Sequence, residues 1–481
     1  MKREVAVAAA AATAAATVAG VALLVRQWRR RSHQQLSAQR ILREFARRCA
    51  TPSSKLWHVA NELASDMEAE LAPGDRSGNL GVPVSYLAGL PTGEEKGIFY
   101  GINLRGTDFV IVRAKLEGRN EPLSDVLRQE VEIPPHMLSS AESTPELCDL
   151  MALELAKFVS VHIESDSSKG ARERILGFTV SLPLASSAIH SKWKRLSVDD
   201  AELVEEINRA LKKHGVEMRV FAVLNETIGH LAGGRYYSKE SVAAVSLGMG
   251  TDVAYIESLP QQIVKDSEVA ETAINMQWGN FFSSHLPLTE YDASLDAESA
   301  DPGCRIFEKL ISGMYLGEIV RRVLLRMAEE SALFGEAVPP KLSRPYSLRS
   351  PDMAAMHQDT SQDYEIVQAK LKEIFEIESS SPLVREIVTE ICDVVAERGA
   401  RLVGAGIVGI VKKMGRLANR KSVITIEGGL YEHYRIYRNY LHSSVWEMLG
   451  TDLSDNVIID HSHGGSGAAS IFLAASQTDH S

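Results

Sequence analysis

An α/β protein with two related halves is the fold class predicted by this 481-residue sequence. Two observations carry that reading. Hydrophobic strands run repeatedly into glycine turns, with amphipathic helices between them. Two hairpins, GINLRGTDFVIV (Gly101–Val112) and SVAAVSLGMGTDVAYIES (Ser241–Ser258), pair strands around short turns of a kind that brings backbone N–H groups close to phosphate.

The elements follow in order. Ile41, Leu42 and Phe45 give helical spacing between Leu36 and Cys49. Thr51-Pro52 reads as a cap and first-turn proline for a second helix through Leu56, Val59, Leu63 and Met67. A turn-rich connection, Leu87–Gly97, leads into the first hairpin. LCDLMALELAKFVSVHI is a helix and RILGFTVSLPL a strand; Asp199–His214 is a helix and MRVFAVLNET a strand. After the second hairpin the chain turns helical, with a long helix around Ile311–Met327 and a surface connection over Val338–Pro351. KSVITIEGGLYEHY and VIIDHSHGGSGAASIFLAA each read as strand, glycine turn and helix.

A hydrophobic fraction of 45% and a charged fraction of 24% supply an ordinary globular core. The net charge of -11 argues against a nucleic-acid partner, because polyanions need a basic surface. Cys49, Cys148, Cys304 and Cys392 are scattered and form no C-x-x-C pair, which fits a reduced, cytosol-facing compartment. The amino terminus runs uncharged from Val5 to Val25, enough for a helix of about 30 Å. Trp28 and Arg26, Arg29, Arg30 and Arg31 follow it, so the positive-inside rule predicts an anchored protein with a cytosolic body. A cleaved signal or a peripheral segment is the alternative.

Six stretches, LGFTVSLP, LAGGRYY, INMQWGNF, FEKLISGMYLGEIVRRVLL, ERGARLVGAGIVGIVKK and EGGLYEHY, together resemble the plant hexokinases of the sugar-kinase/heat-shock/actin superfamily. The resemblance runs from about Leu36 to Ser476. It implies a two-lobed fold, with residues 34–90 and 223–460 in the large lobe and 91–222 and 461–481 in the small one, behind an anchor at 1–33. It also implies glucose or another hexose in the cleft, ATP with magnesium above it, and placement on the mitochondrial outer membrane; another membrane, a plastid or the cytosol is the alternative.

The site residues are implied by the same resemblance, and many depart from its pattern. At the first phosphate hairpin, D-L-G-G-T-N-F-R becomes Asn103-Leu104-Arg105-Gly106-Thr107-Asp108-Phe109-Val110, so Asn103 replaces the aspartate that organises magnesium through water. No direct metal ligand is expected. The second phosphate turn, G-T-G-T-N, becomes Gly248-Met249-Gly250-Thr251-Asp252, with Asp252 in place of a sugar-binding asparagine. The catalytic aspartate is Glu226, and the remaining hexose contacts fall on Ser181, Lys194, Arg195, Asn225, Gln277 and Glu308. Gly428, Gly429, Gly465 and Ser466 stand where adenosine is received, with a packing role as the alternative. Arg105 would strain the backbone if its position required positive φ.

Glu226 alone does not decide activity, since a carboxylate displaced by about 1 Å still accepts a proton, at roughly 10²-fold loss. Coupled changes around one metal-bound phosphate do more. They point to a hexokinase-like protein with little or no ATP-dependent phosphorylation, acting in sugar signalling or as a partner surface. An active enzyme phosphorylating glucose on O6 is the alternative. His433, His461 and His463 lack metal-ligand spacing. Met314, Met327, Trp193 and Trp278 read as core or cleft wall, and Arg321, Arg322 and Glu329 as a solvated helix face. Deletion of residues 1–31 is expected to release a folded protein into the soluble fraction; retention of the truncated chain on carbonate-washed membranes would refute the anchor.

Overall fold

A computed structural model describes residues 34–71, 80, 86–138, 144–162, 174–181, 201–257, 271–465 and 467–477. The expected anchor, residues 1–33, lies outside them; among the described residues no helix is long and apolar enough to cross a membrane.

Two six-stranded sheets organise the chain. The first has the order β4-β3-β2-β5-β6, with β7 also on β5. Its strands are β2 (Lys96–Arg105), β3 (Asp108–Glu117), β4 (Ser124–Glu132), β5 (Arg174–Ser181), β6 (Met218–Arg219) and β7 (Val223–Asn225). The second has the order β1-β10-β9-β8-β11-β12, from β1 (Tyr86–Ala88), β8 (Ser241–Leu247), β9 (Thr251–Glu257), β10 (Thr272–Met276), β11 (Ser422–Glu427) and β12 (Val457–His461).

The sheets repeat one plan. In each, an antiparallel three-strand meander (β2-β3-β4 or β8-β9-β10) continues into parallel strands through its first member. In each, the last parallel strand leads to a helix: Glu226–Tyr237 after β7 and Ala468–Ser476 after β12. This duplication is what the two similar hairpins anticipated.

Those two helices pack on each other at small residues. A Cβ on Gly229 would lie 2.7 Å from the Ala469 Cβ, and one on Gly233 2.8 Å from the Phe472 ring. Ile228, Leu231, Ala232, Ile471 and Phe472 join β3 residues Val110 and Val112 in one buried cluster. The other face of the first sheet buries Ile102, Phe109 and Phe178 against helices Thr144–His162 and Ala201–Lys213. Leu147, Met151, Leu155 and Phe158 recur at three- and four-residue spacing on the former, as an amphipathic helix requires.

The chain divides into two compact units: residues 51–286, 294–314 and 397–481, and residues 1–50, 287–293 and 315–396. The former holds both sheets. Among its described residues the latter is helical, and it corrects one expectation. Arg321 and Arg322 are buried rather than solvated, because both serve Glu318, which is fully buried. Arg321 donates Nε and Nη2 to the two Glu318 oxygens at 2.7 and 2.6 Å, and Arg322 donates Nε at 2.9 Å. The Tyr346 N–H donates to the same carboxylate at 2.7 Å. Glu329 alone of the three is exposed.

Other differences are local. MRVFAVLNET is not one strand: β6 and β7 are separated, and Glu226 already begins a helix. The long helix expected at Ile311 is broken at Ser312 into Ile306–Ile311 and Gly313–Ser331. The connection 338–351 buries Leu342 and Leu348 completely, so it is not purely a surface segment. Met327 and Trp278 are fully buried and Met314 half-buried; Trp193 lies outside the described residues.

Removing one partner from a buried ionic group leaves the rest uncompensated. Glu318→Ala should therefore lower stability by about 3–5 kcal/mol, read by denaturant unfolding of protein lacking residues 1–31. A loss below about 1 kcal/mol would mean that the arginines find water instead.

Candidate functional site

The described candidate residues all lie in the unit that holds both sheets. They gather where strands end. Asn103 is two residues from the end of β2, Ser181 closes β5 in register with Arg105, and Asn225 closes β7. Asn225 caps the following helix, accepting from the Thr227 N–H at 2.7 Å. Glu226 is thereby set in the first turn, where the helix N-terminus favours a negative charge.

One hydrogen bond joins the two most consequential departures. Asn103 is completely buried, and its Nδ2 donates to Glu226 Oε1 at 2.6 Å. Its other polar atom, Oδ1, accepts from Thr179 Oγ1 at 3.1 Å. Each polar atom of the amide thus has a protein partner, and the expected base is held by it.

Arg105 is not a spare cation. Its Nη2 donates to Asp108 across the turn and to Glu130 on β4 at 3.1 Å. These carboxylates hold its guanidinium above its ordinary pKa despite the opposing effect of burial. The backbone shows no strain there: the described non-glycine residues with positive φ are Asp125, Arg305, Ala332, Tyr346, Tyr364 and Glu376. The conditional expectation of strain fails because Arg105 is the last residue of an extended strand. Gly106 and Thr107 form the turn beyond it.

The second phosphate turn is kept by packing. Gly248 N–H donates to Gly250 O at 3.0 Å, while Gly248 O and Met249 O accept from Gly313 and Met314 N–H at 2.8 and 3.0 Å. Only the Met249 side chain projects outward, with 57% exposure where the family pattern has a hydroxyl.

Beyond it lies an acidic cluster. Asp252 Oδ2 accepts from Asn275 Nδ2 at 2.8 Å and Oδ1 from the Val253 N–H at 2.9 Å. Burial pushes its carboxyl up to about 7, with the charge of Glu308 adding and hydrogen bonds from Asn275, Val253 and Asn225 opposing. Glu308 is buried and also raised by burial; Arg305 opposes that shift and donates to it at 3.1 Å. Gln277 precedes the 3-10 turn Trp278–Asn280, its Oε1 accepting from Asn280 at 3.3 Å.

Gly428 and Gly429 follow β11. A Cβ on Gly428 would sit 2.4 Å from Leu247 O, and its φ of 111° is also glycine territory, so packing alone requires it. Gly464 and Gly465 have φ of 88° and 67°. Lys194, Arg195 and Ser466 lie outside the described residues.

Sequence reasoning missed His230, Thr179 and Asn275, and took Glu427 only as the first residue of a glycine turn. His230 is buried one turn after Glu226, its Nε2 3.8 Å from Glu226 Oε1 and 3.7 Å from Glu427 Oε2. That nitrogen has no hydrogen-bond partner. Glu427 is raised by burial and by Glu226 and Glu432, with His230 opposing. The i, i+4 spacing of Glu226 and His230 was the available signal. The nearness of Glu427 to His230 could come only from the fold.

Magnesium bound through phosphate and water calls for a carboxylate beside the phosphate turn. Asn103 does not fit that role: its amide carries no charge, and both of its polar atoms already have protein partners. Among the described residues no group of three His, Cys, Asp or Glu side chains is arranged to hold a metal ion.

Two family models described as hexokinase match residues 41–236 and 242–476. Hexokinase-1 of Spinacia oleracea is 44% identical, covering 99% of this chain and 99% of its own length. Hexokinase-1 of Nicotiana tabacum is 45% identical, covering 99% and 98%. Hexokinase-1 of Arabidopsis thaliana is 44% identical, again covering 99% and 98%. Of solved structures, the hexokinase from Schistosoma mansoni complexed with glucose matches with a TM-score of 0.74 at 24% identity, covering 91% of this chain and 99% of that one. That likeness shows the fold.

Asn103→Asp would place two carboxylates 2.6 Å apart in a buried site. They would share one proton, raising one carboxyl above its unfolded value. The folded protein then holds a proton that the unfolded chain has released, so stability falls as pH rises through the raised value. The variant should lose at least about 2 kcal/mol at pH 8, less at pH 5, and recover when Glu226→Gln is added. A difference from the native protein that does not vary with pH would refute the pairing.

Proposed function

The chain belongs to the plant hexokinase family, and on that premise we propose that it carries out little or no ATP-dependent glucose phosphorylation and acts instead in glucose sensing or as a partner surface. The observation that carries this reading is the buried Asn103–Glu226 hydrogen bond. It occupies an oxygen of the expected base with the residue that replaces the magnesium-organising acid. Phosphoryl transfer depends on positioning and charge neutralisation. Here the amide is neutral, Arg105 is drawn to two carboxylates, and Met249 brings no hydroxyl.

A hexose is the ligand this site retains, at affinity well below that of an active relative. Ser181, Asn225, Gln277 and Glu308 still offer polar atoms, but mismatched polar partners weaken a site built for hydroxyls. The lobes are assigned as residues 34–90 with 223–460 and 91–222 with 461–481, supported by the packing of helix Ala468–Ser476 on β2 and β5. The uncharged run Val5–Val25 and its arginine flank support a membrane anchor with the body facing the cytosol; the mitochondrial outer membrane is proposed from the family resemblance.

The second reading, an active hexokinase using ATP-Mg to phosphorylate O6, rests on Glu226 itself. It remains a carboxylate at a helix N-terminus, competent to accept a hydroxyl proton.

Glucose-6-phosphate formation by protein lacking residues 1–31 separates the two. Glu226→Asp alone should restore nothing, because the phosphate site remains incomplete. Recovery should require Asn103→Asp, Arg105→Gly, Met249→Thr and Glu226→Asp together, with Asp252→Asn for the sugar. Robust turnover by the native chain or by the single variant would establish the active reading.

A further inference from the structure

Arg305 is absent from the residues that the motifs single out, yet it holds one of them. It stands between two carboxylates: its Nε donates to Asp301 Oδ2 at 2.5 Å and its Nη1 to Glu308 Oε2 at 3.1 Å. The spacing, four residues back and three forward, gathers these side chains at the start of helix Ile306–Ile311. Arg305 is the N-cap residue of that helix, with left-handed backbone at φ 50° and ψ 43°. Such a conformation is costly for a residue with a Cβ and persists where its surroundings fix it.

Glu308 is buried between the second phosphate turn and the turn after β10. Two glycines leave it room there. A Cβ on Gly250 would come within 3.2 Å of its Oε1, and one on Gly279 within 3.2 Å of its Oε2. The Thr251 N–H donates to the same carboxylate. An ionised carboxylate has about four acceptor positions, and Arg305 and Thr251 take one each. The others can accept from the hydroxyl groups of a ligand. Burial raises the Glu308 carboxyl and Arg305 opposes that rise, so the arginine favours the form that only accepts.

The loop before the helix has a fastening of its own. Lys309 donates to Asp296 Oδ1 at 2.6 Å and to the carbonyls of Asp301 and Cys304 at 2.9 and 2.8 Å. Asp296 also accepts from the Gly303 N–H at 2.9 Å. With the loop held from that side, what the Arg305 guanidinium adds is its bond to Glu308.

We propose that Arg305 is a positioning residue of the hexose pocket: it holds Glu308 as an oriented acceptor for sugar hydroxyls, and Asp301 holds Arg305 in turn. This rests on the reading of the pocket as a hexose site. A positioning role shows as selectivity for particular hydroxyls, whereas a role in packing alone weakens every sugar alike.

The test is calorimetric titration of the full chain, in a sugar-free detergent, with glucose and its monodeoxy derivatives at carbons 1, 2, 3, 4 and 6. Loss of a hydroxyl that donates to Glu308 should weaken binding about tenfold or more, the scale of a hydrogen bond to a charged group. Glu308→Gln identifies those positions by lowering their penalty. Arg305→Met should lower the penalty at the same positions to about threefold or less, and leave the other penalties unchanged. Asp301→Ala, at a half-buried position, should lower the same penalties by a smaller factor.

The native pattern of penalties in Arg305→Met, or a uniform loss across all the sugars, would overturn the proposal while leaving the hexose site standing. If Arg305→Met does not fold, either result in Asp301→Ala overturns it instead. Penalties untouched by Glu308→Gln would do the same, since Glu308 would then meet no hydroxyl. No binding of any of these sugars by the native chain would overturn the hexose-site reading, and the proposal with it.

Discussion

The buried contact between Asn103 and Glu226 is the constraint on which the chemistry of this molecule depends. It runs from the end of a β-strand to the first turn of a helix, and both members depart from the family pattern that the sequence resembles. Separately they would read as an amide for an acid and a carboxylate one methylene too long. Together they are complementary: at 2.6 Å the longer acid meets a donor where the resemblance implies a second acid. Such a pair is stable because each polar atom of the buried amide has a partner and the carboxylate is hydrogen-bonded.

Charge tells a parallel story at the hairpin turn. A single arginine beside a phosphate loop suggests an added anion grip, and the sequence alone permits that view. Asp108 and Glu130 change it, because the guanidinium is already directed to carboxylates on β3 and on β4 beyond it. An incoming phosphate would compete with two groups of its own sign for one cation. The mouth of the first hairpin is thus electrostatically closed upon itself, although its backbone remains an ordinary two-residue turn.

Much of this organisation was legible in the sequence. The hairpins, the glycine turns and the helices around Leu56 and Leu155 follow from alternation and three- to four-residue spacing, which burial imposes locally. Candidate residues of the phosphate turns were legible through motif positions. What remained hidden depends on contacts remote in sequence. Glu130 lies 25 residues from Arg105, and Glu427 reaches His230 only because helix Glu226–Tyr237 packs against β11. Arg321 and Arg322 look like surface charges until Glu318 and the buried connection after Pro339 are in place. The end of MRVFAVLNET was misread for a different reason: Asn225 is extended itself, yet its side chain starts a helix. A hydrophobic pattern does not register that change of role.

The two sheets explain how a chain can keep its fold while the side chains at its phosphate turns depart from the family pattern. Both phosphate hairpins belong to a repeated meander, and glycines of the elements packed around the meanders are fixed by neighbours: Gly428 by Leu247, Gly313 by Gly248, and Gly229 and Gly233 by the closing helix. A side chain at any of these positions would disturb packing. Asn103 can serve packing as well as an aspartate could, since its amide finds partners, while Arg105 and Met249 stand at turn margins where exposure admits bulk. Selection by packing and selection by phosphate chemistry therefore act on different atoms of the same loops. Retention of the glycine framework attests to the fold, and judgement of the reaction falls to the few side chains that the framework does not require.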